Sequence, residues 1–257
     1  MGAGAHPLYR HGDSTVHRAP AEVKIVCLLV FVLAVVATPR EMFWPFAGYA
    51  LIVVSVWQLA GIPLRWVLPR MLIEAPFLVL ALLLPFAEGG DRVEVGGVQL
   101  SVTGLYAAWG IVIKGTLGVA AALTLAASTS AAELPAALSR LGVPAVVTSV
   151  LVLMIRYIDL LAAEVGRMRM ARISRGDSPR VLHQARAIAI GIGALFLRSY
   201  ERGERVYHSM LSRGFDGGVP DLAVIGAPPR AVPIQWVLTM IPAVAAVGVS
   251  VLAWVIR

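Results

Sequence analysis

The chain has 257 residues, 58% of them apolar and only 14% charged, with a mean hydropathy of +0.80. Soluble domains carry about 45–50% apolar and about 25% charged residues, so composition excludes an ordinary soluble domain and makes a polytopic membrane protein the default class. Net charge is +7 and the pI about 10.2. The basic residues lie between apolar runs, and no patterned aromatics make a base-stacking surface. Anionic lipid and positive-inside topology therefore account for them better than nucleic acid does. The single cysteine, Cys27, sits inside the first apolar run and excludes an internal disulfide or a Cys/His zinc site.

The N-terminal tail, residues 1–22, carries His6, His11, His17 and Asp13. Spacings of five and six do not put the histidines on one helix face. With Gly and Pro around them, a solvated, disordered tail is expected rather than a metal site. Five apolar runs follow that are long enough to span a bilayer: residues 23–38, 42–62, 71–87, 104–128 and 233–256. The first lacks a small-x-small cleavage site and is long for a signal sequence, so it reads as a retained helix.

Charge orients these runs. Arg65 and Arg70, with no acid beside them, mark an internal loop between the second and third. The loop of residues 88–103 holds Glu88, Asp91 and Glu94 against Arg92 and reads as external, with a short hairpin of Val93, Val95, Val98 and Leu100 about Gly96-Gly97. Residues 129–231 hold thirteen arginines and eight acids and read as cytoplasmic. The expectation is an all-α, multi-pass protein of the cell membrane, N-terminus inside and C-terminus outside. Its parts are residues 1–128 (tail and four spans), 129–232 (cytoplasmic helices) and 233–257 (last span). Trp44, Trp66 and Trp236 sit near span ends as interfacial anchors. Lys114, midway along the fourth span, needs a partner or a function, because a charge at that depth costs about 2.5–3.5 kcal/mol on insertion scales. Glu74, near the inner end of the third span, reaches the interface by itself or pairs with Lys114 across a difference in depth.

The middle third alternates apolar and charged positions. Residues 131–141 suit a short helix broken at Gly142-Val143-Pro144. Residues 146–173 then read as one long helix, strongly apolar for about ten residues and amphipathic from Arg156, with Ile158, Leu161, Val165 and Met168 at helical spacing. Arg156 and Asp159, and Glu164 and Arg167, are three apart and can pair. Asp177-Ser178-Pro179 starts a second long helix, residues 179–211, about 50 Å long if straight. Its centre holds Gly191, Gly193 and Ala194, small residues that permit close helix approach. Glu201 and Arg205 are in the favourable i,i+4 order.

Both long helices end on the same tripeptide, Ser174-Arg175-Gly176 and Ser212-Arg213-Gly214. An arginine in the last turn complements the macrodipole and a glycine after it is an ordinary cap, so either end taken singly needs no function. Their recurrence in one basic region points to a shared role. No phosphate loop G-x-x-x-x-G-K-[ST], H-E-x-x-H or nucleophile elbow occurs, so no ATP site, cofactor or resident metal is expected. Asp216-Gly217-Gly218 lacks the further paired aspartates that a lipid headgroup transferase would need.

The segments LSRLGVP, MIRYIDLLAAEVGRMRMARISRGD and GALFLRSYERGERVYHSMLSRGFDG, between residues 138 and 217, resemble the transmembrane T component of energy-coupling-factor importers, and most of all its cobalt-transport CbiQ type. That family usually has Ala-Arg-Gly where this chain has Ser-Arg-Gly twice; serine is small enough for the same contact. The resemblance implies a non-catalytic subunit of an ATP-driven importer for cobalt or nickel. It implies that Arg175 and Arg213 each dock on one of two ATP-binding subunits near acidic residues, and that a separate membrane subunit binds the metal. A conventional importer permease, with 133–144 as its coupling segment, does not need two Arg-Gly helix ends. A membrane enzyme of lipid metabolism would show activity when purified alone.

Overall fold

The computed structural model describes residues 8–87, 89, 92–95, 98–176, 185–215, 217 and 231–256. It is helical apart from one two-stranded hairpin. Two compact units divide it, one made of residues 8–137 and 231–256, the other of the described residues from 138 to 217.

In the first unit every apolar run is helical. Helix α1 (Thr15–Arg18) precedes α2 (Ala21–Ala37) and α3 (Trp44–Ala60). Then come α4 (Leu64–Val67), a 3-10 segment (Leu68–Glu74) and α5 (Ala75–Ala87), which together make one apolar stretch, Leu64–Phe86. That stretch begins earlier than expected, because the 3-10 turns accommodate Pro69 rather than ending the helix there, and Arg65 and Arg70 are helical instead of lying in a loop. Arg70 folds back, its guanidinium 3.9 Å from the Trp66 ring centre and donating to Trp66 O at 2.7 Å. The hairpin of β1 (Arg92–Val95) and β2 (Val98–Ser101) pairs Val93 with Leu100 and Val95 with Val98. Gly96 and Gly97 lie outside the described residues. Helix α6 (Val102–Ser128) and, at the chain end, α10 (Pro233–Val255) complete the unit.

By length and composition four helical stretches suffice to cross a membrane: Leu64–Phe86, α6, Ala145–Ile173 and α10. Helices α2 and α3 have 17 residues each, about 25 Å, at the short end of the spanning range. Ala145–Ile173 was expected among the cytoplasmic helices. It qualifies because Arg156 and Asp159 are its only charges up to residue 163.

The core lies among α2, α3, α6 and α10, around Phe31, Val35, Phe46, Tyr49, Val53 and Trp57. Small residues at helical spacing on α10 — Ala243, Ala246, Ser250 and Ala253 — are all buried, and α10 packs chiefly on α2. Small side chains let the backbones approach, which is how helices associate where lipid removes the hydrophobic drive. Helix α6 approaches α5 closely at Gly104, where a Cβ would lie 2.8 Å from Leu84 O and Pro85 Cα. Buried polar groups pair within the unit. Thr38 Oγ1 and the Tyr49 hydroxyl are 2.6 Å apart, and Trp57 Nε1 donates to Thr124 Oγ1 at 2.7 Å.

The tail differs from expectation. Ser14 caps α1, with its Oγ accepting from the His17 N–H, and Arg10 N–H donates to Ala127 O at 3.0 Å. His17 is wedged between Ser14 Oγ (2.7 Å) and Arg10 O (3.0 Å). A carbonyl only accepts, so Nε2 carries the hydrogen and Nδ1 receives the serine hydroxyl. Burial holds this imidazole below its ordinary pKa, and the nearby Lys24 charge acts in the same direction. The tail is therefore tied down from Arg10 onward by the backbone it contacts; His6 lies outside the described residues. Among the described residues no group of three or more His, Cys, Asp or Glu could hold a metal ion.

The two charged residues at membrane depth do not pair with each other. Lys114 Nζ donates to Val36 O at 2.8 Å and Thr38 O at 2.7 Å, capping the C-terminal end of α2. Glu74, 5% exposed, accepts from Thr116 Oγ1 at 2.9 Å through Oε2, and its Oε1 has no hydrogen-bond partner among the described residues. Replacing Lys114 by Met leaves two carbonyls at the α2 end without their donor. A loss of about 1.5–3 kcal/mol is expected, the range for hydrogen bonds to a charged group. It should be read as a lower denaturation midpoint of the purified chain in detergent, with Lys114→Arg falling between variant and wild type.

Candidate functional site

The second unit contains both Ser-Arg-Gly ends. Helix α7 (Leu134–Arg140) leads into it and stops where Gly142 takes φ +89°. Helix α8 (Ala145–Ile173) starts directly after Pro144. Its first turns are tightened by Thr148 and Ser149, whose hydroxyls donate back to Ala145 O at 3.0 and 2.7 Å. Helix α9 (Ala185–Leu211) is described from residue 185; its expected start at residues 179–184 lies outside the described residues.

The two helices meet at few points. Glu164 is held by Arg167 on its own helix and by Arg198 of α9, the latter at 2.8 Å. Gly191 comes so close to α8 that a Cβ there would be 3.3 Å from Met168 Cε. Later residues of α8 thus meet earlier residues of α9, so the helices run in opposed senses through the contact. Arg175 lies seven residues beyond Met168, about 10 Å, and Arg213 fifteen beyond Arg198, about 22 Å. The helices leave their contact in different directions and carry the two arginines apart, as two separate points rather than one cluster. The other expected pairs divide: Arg205 stands 3.9 Å from Glu201, whereas Arg156 and Asp159 form no ion pair among the described residues.

Both ends have the same local build. Ser174 N–H donates to Met170 O and Gly176 N–H to Ile173 O, each at 3.0 Å, and Gly176 takes φ +86°. Ser212 N–H donates to His208 O and Gly214 N–H to Leu211 O, each at 3.0 Å, with Gly214 at φ +84°. At the second end Phe215 N–H also reaches back to Met210 O at 3.0 Å, which completes a Schellman cap. Left-handed φ carries a steric penalty for any residue with a Cβ, so glycine is required at both places. The serine hydroxyls turn inward as well: Ser174 Oγ donates to Met170 O and Ser212 Oγ to Ser209 O, each at 3.0 Å. What remains outward is the arginine. Ser174, Arg175 and Gly176 are exposed, as are Ser212, Arg213 and Gly214. Neither Arg175 nor Arg213 has an ion-pair partner among the described residues, although acids elsewhere on these helices are engaged.

A feature that periodicity alone did not bring out is a stripe on α9. Ile188, Ile192, Phe196 and Tyr200 recur every four residues and all are exposed. The i,i+4 spacing was visible in the sequence; that no described residue covers it was not.

The family model described as cobalt transport protein, CbiQ, matches residues 12–222, a stretch that includes both Ser-Arg-Gly ends. The chain belongs to the CbiQ cobalt transport protein family. A protein of Rhodobacter capsulatus named cobalt transport protein CbiQ is 28% identical over 237 residues, covering 90% of this chain and 92% of its own. The energy-coupling factor transporter transmembrane protein EcfT of Thermotoga maritima is 23% identical over 218 residues, covering 81% and 79%. An uncharacterized protein of Methanocaldococcus jannaschii is 30% identical over 209 residues, covering 77% and 70%. The resemblance to the T component drawn from residues 138–217 thus extends over most of the chain. As a CbiQ family member the protein is a helical, multi-pass membrane component of a transporter.

Because both glycines are at left-handed φ, Gly214→Ala is expected to cost about 1 kcal/mol, mainly at the last turn of α9. Hydrogen exchange should quicken at residues 212–215 and stay unchanged at the α8 end. Gly193→Ala, where a Cβ meets nothing within 4 Å, serves as the control that leaves both ends unchanged.

Proposed function

We propose that this CbiQ family member is the transmembrane coupling subunit of an energy-coupling-factor importer for Co²⁺ or Ni²⁺, and that it passes ATP-driven motion to a separate metal-binding membrane subunit. The observation that carries this reading is the pair of matched helix ends, each presenting one exposed arginine on a turn whose amides donate back into the helix. A cap needed only to end a helix does not call for the same tripeptide twice.

In this reading Arg175 and Arg213 each insert into a groove on one of two ATPase subunits. A guanidinium offers a planar fork of donors that matches a carboxylate, and it keeps its charge on desolvation. Two points carried apart by α8 and α9 suit two subunits better than one. The helix between each arginine and the α8–α9 contact is regular, so displacement of an ATPase groove moves the contact as a lever moves its pivot. The uncovered stripe of Ile188, Ile192, Phe196 and Tyr200 is the surface we assign to the metal-binding subunit. The basic middle region and the N-terminus are placed on the cytoplasmic side, from the charge pattern of the loops.

The decisive experiment is co-purification of the whole importer from cells expressing all its subunits. Arg175→Ala with Arg213→Ala should insert in the membrane at wild-type level yet lose the ATPase subunits. Truncating one partner of a buried charge pair costs about 2–5 kcal/mol, enough at two sites to abolish capture. Each single variant should retain one ATPase more readily than the other. Recovery of both ATPases at wild-type yield from the double variant would overturn the reading. The isolated chain, in turn, is expected neither to hydrolyse ATP nor to retain Co²⁺ stoichiometrically after gel filtration. Metal measured at one ion per chain would contradict the assignment of cargo binding to another subunit.

A further inference from the structure

Within the first unit, α2, α3, α6 and α10 enclose a crevice of about 500 Å³ that the coupling role does not use. Its walls come from residues 24–31 of α2, 52–59 of α3, 121–128 of α6 and 235–242 of α10. Each stretch advances seven residues, about 10 Å along a helix, so the crevice runs for two turns alongside all four helices. Half of the hydrocarbon core is about 15 Å deep, so this length fits within one leaflet. The walls are mainly aliphatic and aromatic, with Phe31 and Val53 buried behind them. Leu59 and Leu238, which also line it, are 63% and 60% exposed. An apolar crevice with apolar exposed residues at its rim communicates with lipid rather than with water.

Its two ends differ. At the end where α2 starts and α6 stops, the lining includes Thr15 and Arg18 of α1, Lys24, Ser128 and Gln235. Lys24 is already committed, donating to Ser128 O at 2.8 Å and to His17 O at 3.2 Å. Arg18 is exposed, and no salt bridge to it is found among the described residues. The other end, toward Phe31 and Pro242, carries no charge. An elongated, mainly apolar slot of one leaflet's depth, with its charged groups at one end and along its length only the hydroxyls of Thr239 and of Thr124, the latter already bonded to Trp57 Nε1 and Ala120 O, has the polarity of a lipid.

We propose that this crevice holds one acyl chain of an anionic glycerophospholipid, with its phosphate facing Arg18. Cys27 lines the crevice and is the chain's single cysteine, so the native thiol reports on occupancy. The test uses the full-length chain, stripped of lipid in detergent and titrated with phosphatidylglycerol or phosphatidylcholine. Native mass spectrometry counts retained lipid, and N-ethylmaleimide measures Cys27 reactivity. Phosphatidylglycerol should be retained and should slow Cys27 modification, with a preference over phosphatidylcholine of about fivefold that Arg18→Gln removes. Ala121→Trp, which fills the slot, should abolish retention while leaving helicity and elution volume unchanged. Should that variant fail to fold, Cys27 protection in the wild type decides alone. Equal Cys27 reactivity with and without lipid overturns the proposal, as does undiminished retention in folded Ala121→Trp. Protection seen only in the assembled importer, and not with phosphatidylglycerol, also overturns it and makes the crevice a protein interface.

Discussion

The ends of α2 set the terms for the membrane-embedded unit. A helix leaves its last carbonyls without intrahelical donors, and in a low-dielectric surround each one left unpaired costs several kcal/mol. At 17 residues α2 is too short to push both ends comfortably into water. Its C-terminal carbonyls are met instead by side chains from neighbours: Lys114 of α6 takes Val36 O and Thr38 O, and Trp254 Nε1 of α10 takes Ala37 O at 3.1 Å. At the other end α2 supplies one donor and one acceptor. Its Lys24 reaches Ser128 O where α6 runs out, and its Glu22 accepts the Ala231 N–H just ahead of α10. The charges that look costly in a hydropathy profile are thus the groups that meet the helix-end carbonyls of α2 and α6. They also tie α2 to α6 along the axis, Lys24 joining the start of α2 to the end of α6 and Lys114 joining the end of α2 to the middle of α6.

The second unit follows the opposite rule. Helix α9 leaves large apolar side chains exposed along a stripe and meets α8 through a Glu164–Arg198 pair and the small surface of Gly191. Solvent screens an exposed ion pair of this kind, so it orients the helices without locking them. Such a pair of helices gains little from its own contacts and much from partners that cover its faces. The helix ends, by contrast, are closed: Gly176 and Gly214 adopt the left-handed turn, and the amides of residues 174–176 and 212–215 all donate back into their helices. For the coupling role proposed above, closed tips matter because a frayed tip would absorb the displacement it should transmit.

How much of this was legible in the sequence follows from the range of the interactions. Helices and their stops depend on neighbours within four residues, so the apolar runs, the break at Gly142 and both Ser-Arg-Gly ends could be read directly. The clamps could not, because Lys24 and Ser128 are 104 residues apart and Lys114 and Val36 are 78 apart. Lys114 was marked as a residue needing a partner, and burial cost alone justified that; the partner proved to be backbone, which carries no sequence signature. Glu74 was a natural suggestion only because acids pair with lysines on average. The tail was misread for a related reason. Gly and Pro near three histidines argue against regular structure, yet Arg10 and His17 are held by backbone carbonyls, and composition does not foresee such contacts. The charged second half of α8 masks its spanning capacity, since Arg156 and Asp159 alone interrupt its first nineteen residues.

The register fixed by the clamps has a consequence for the crevice. The wall stretches on α2, α3, α6 and α10 are each about two turns long, and the Lys24 clamp lies at the end where α2 starts and α6 stops. The same amino group that satisfies the α6 carboxyl-terminal carbonyl therefore divides a polar, cationic mouth from an apolar slot. A lipid seated there would bury apolar surface on all four helices at once, at about 25 cal/mol for each Å² removed from water when the chain is assembled outside the bilayer. Inside the bilayer that term vanishes, since a slot filled by a lipid tail and the surrounding hydrocarbon are alike in polarity. Occupancy in the membrane must then rest on packing against the walls and on the phosphate at Arg18, and headgroup charge, more than chain length, should govern which lipid is kept.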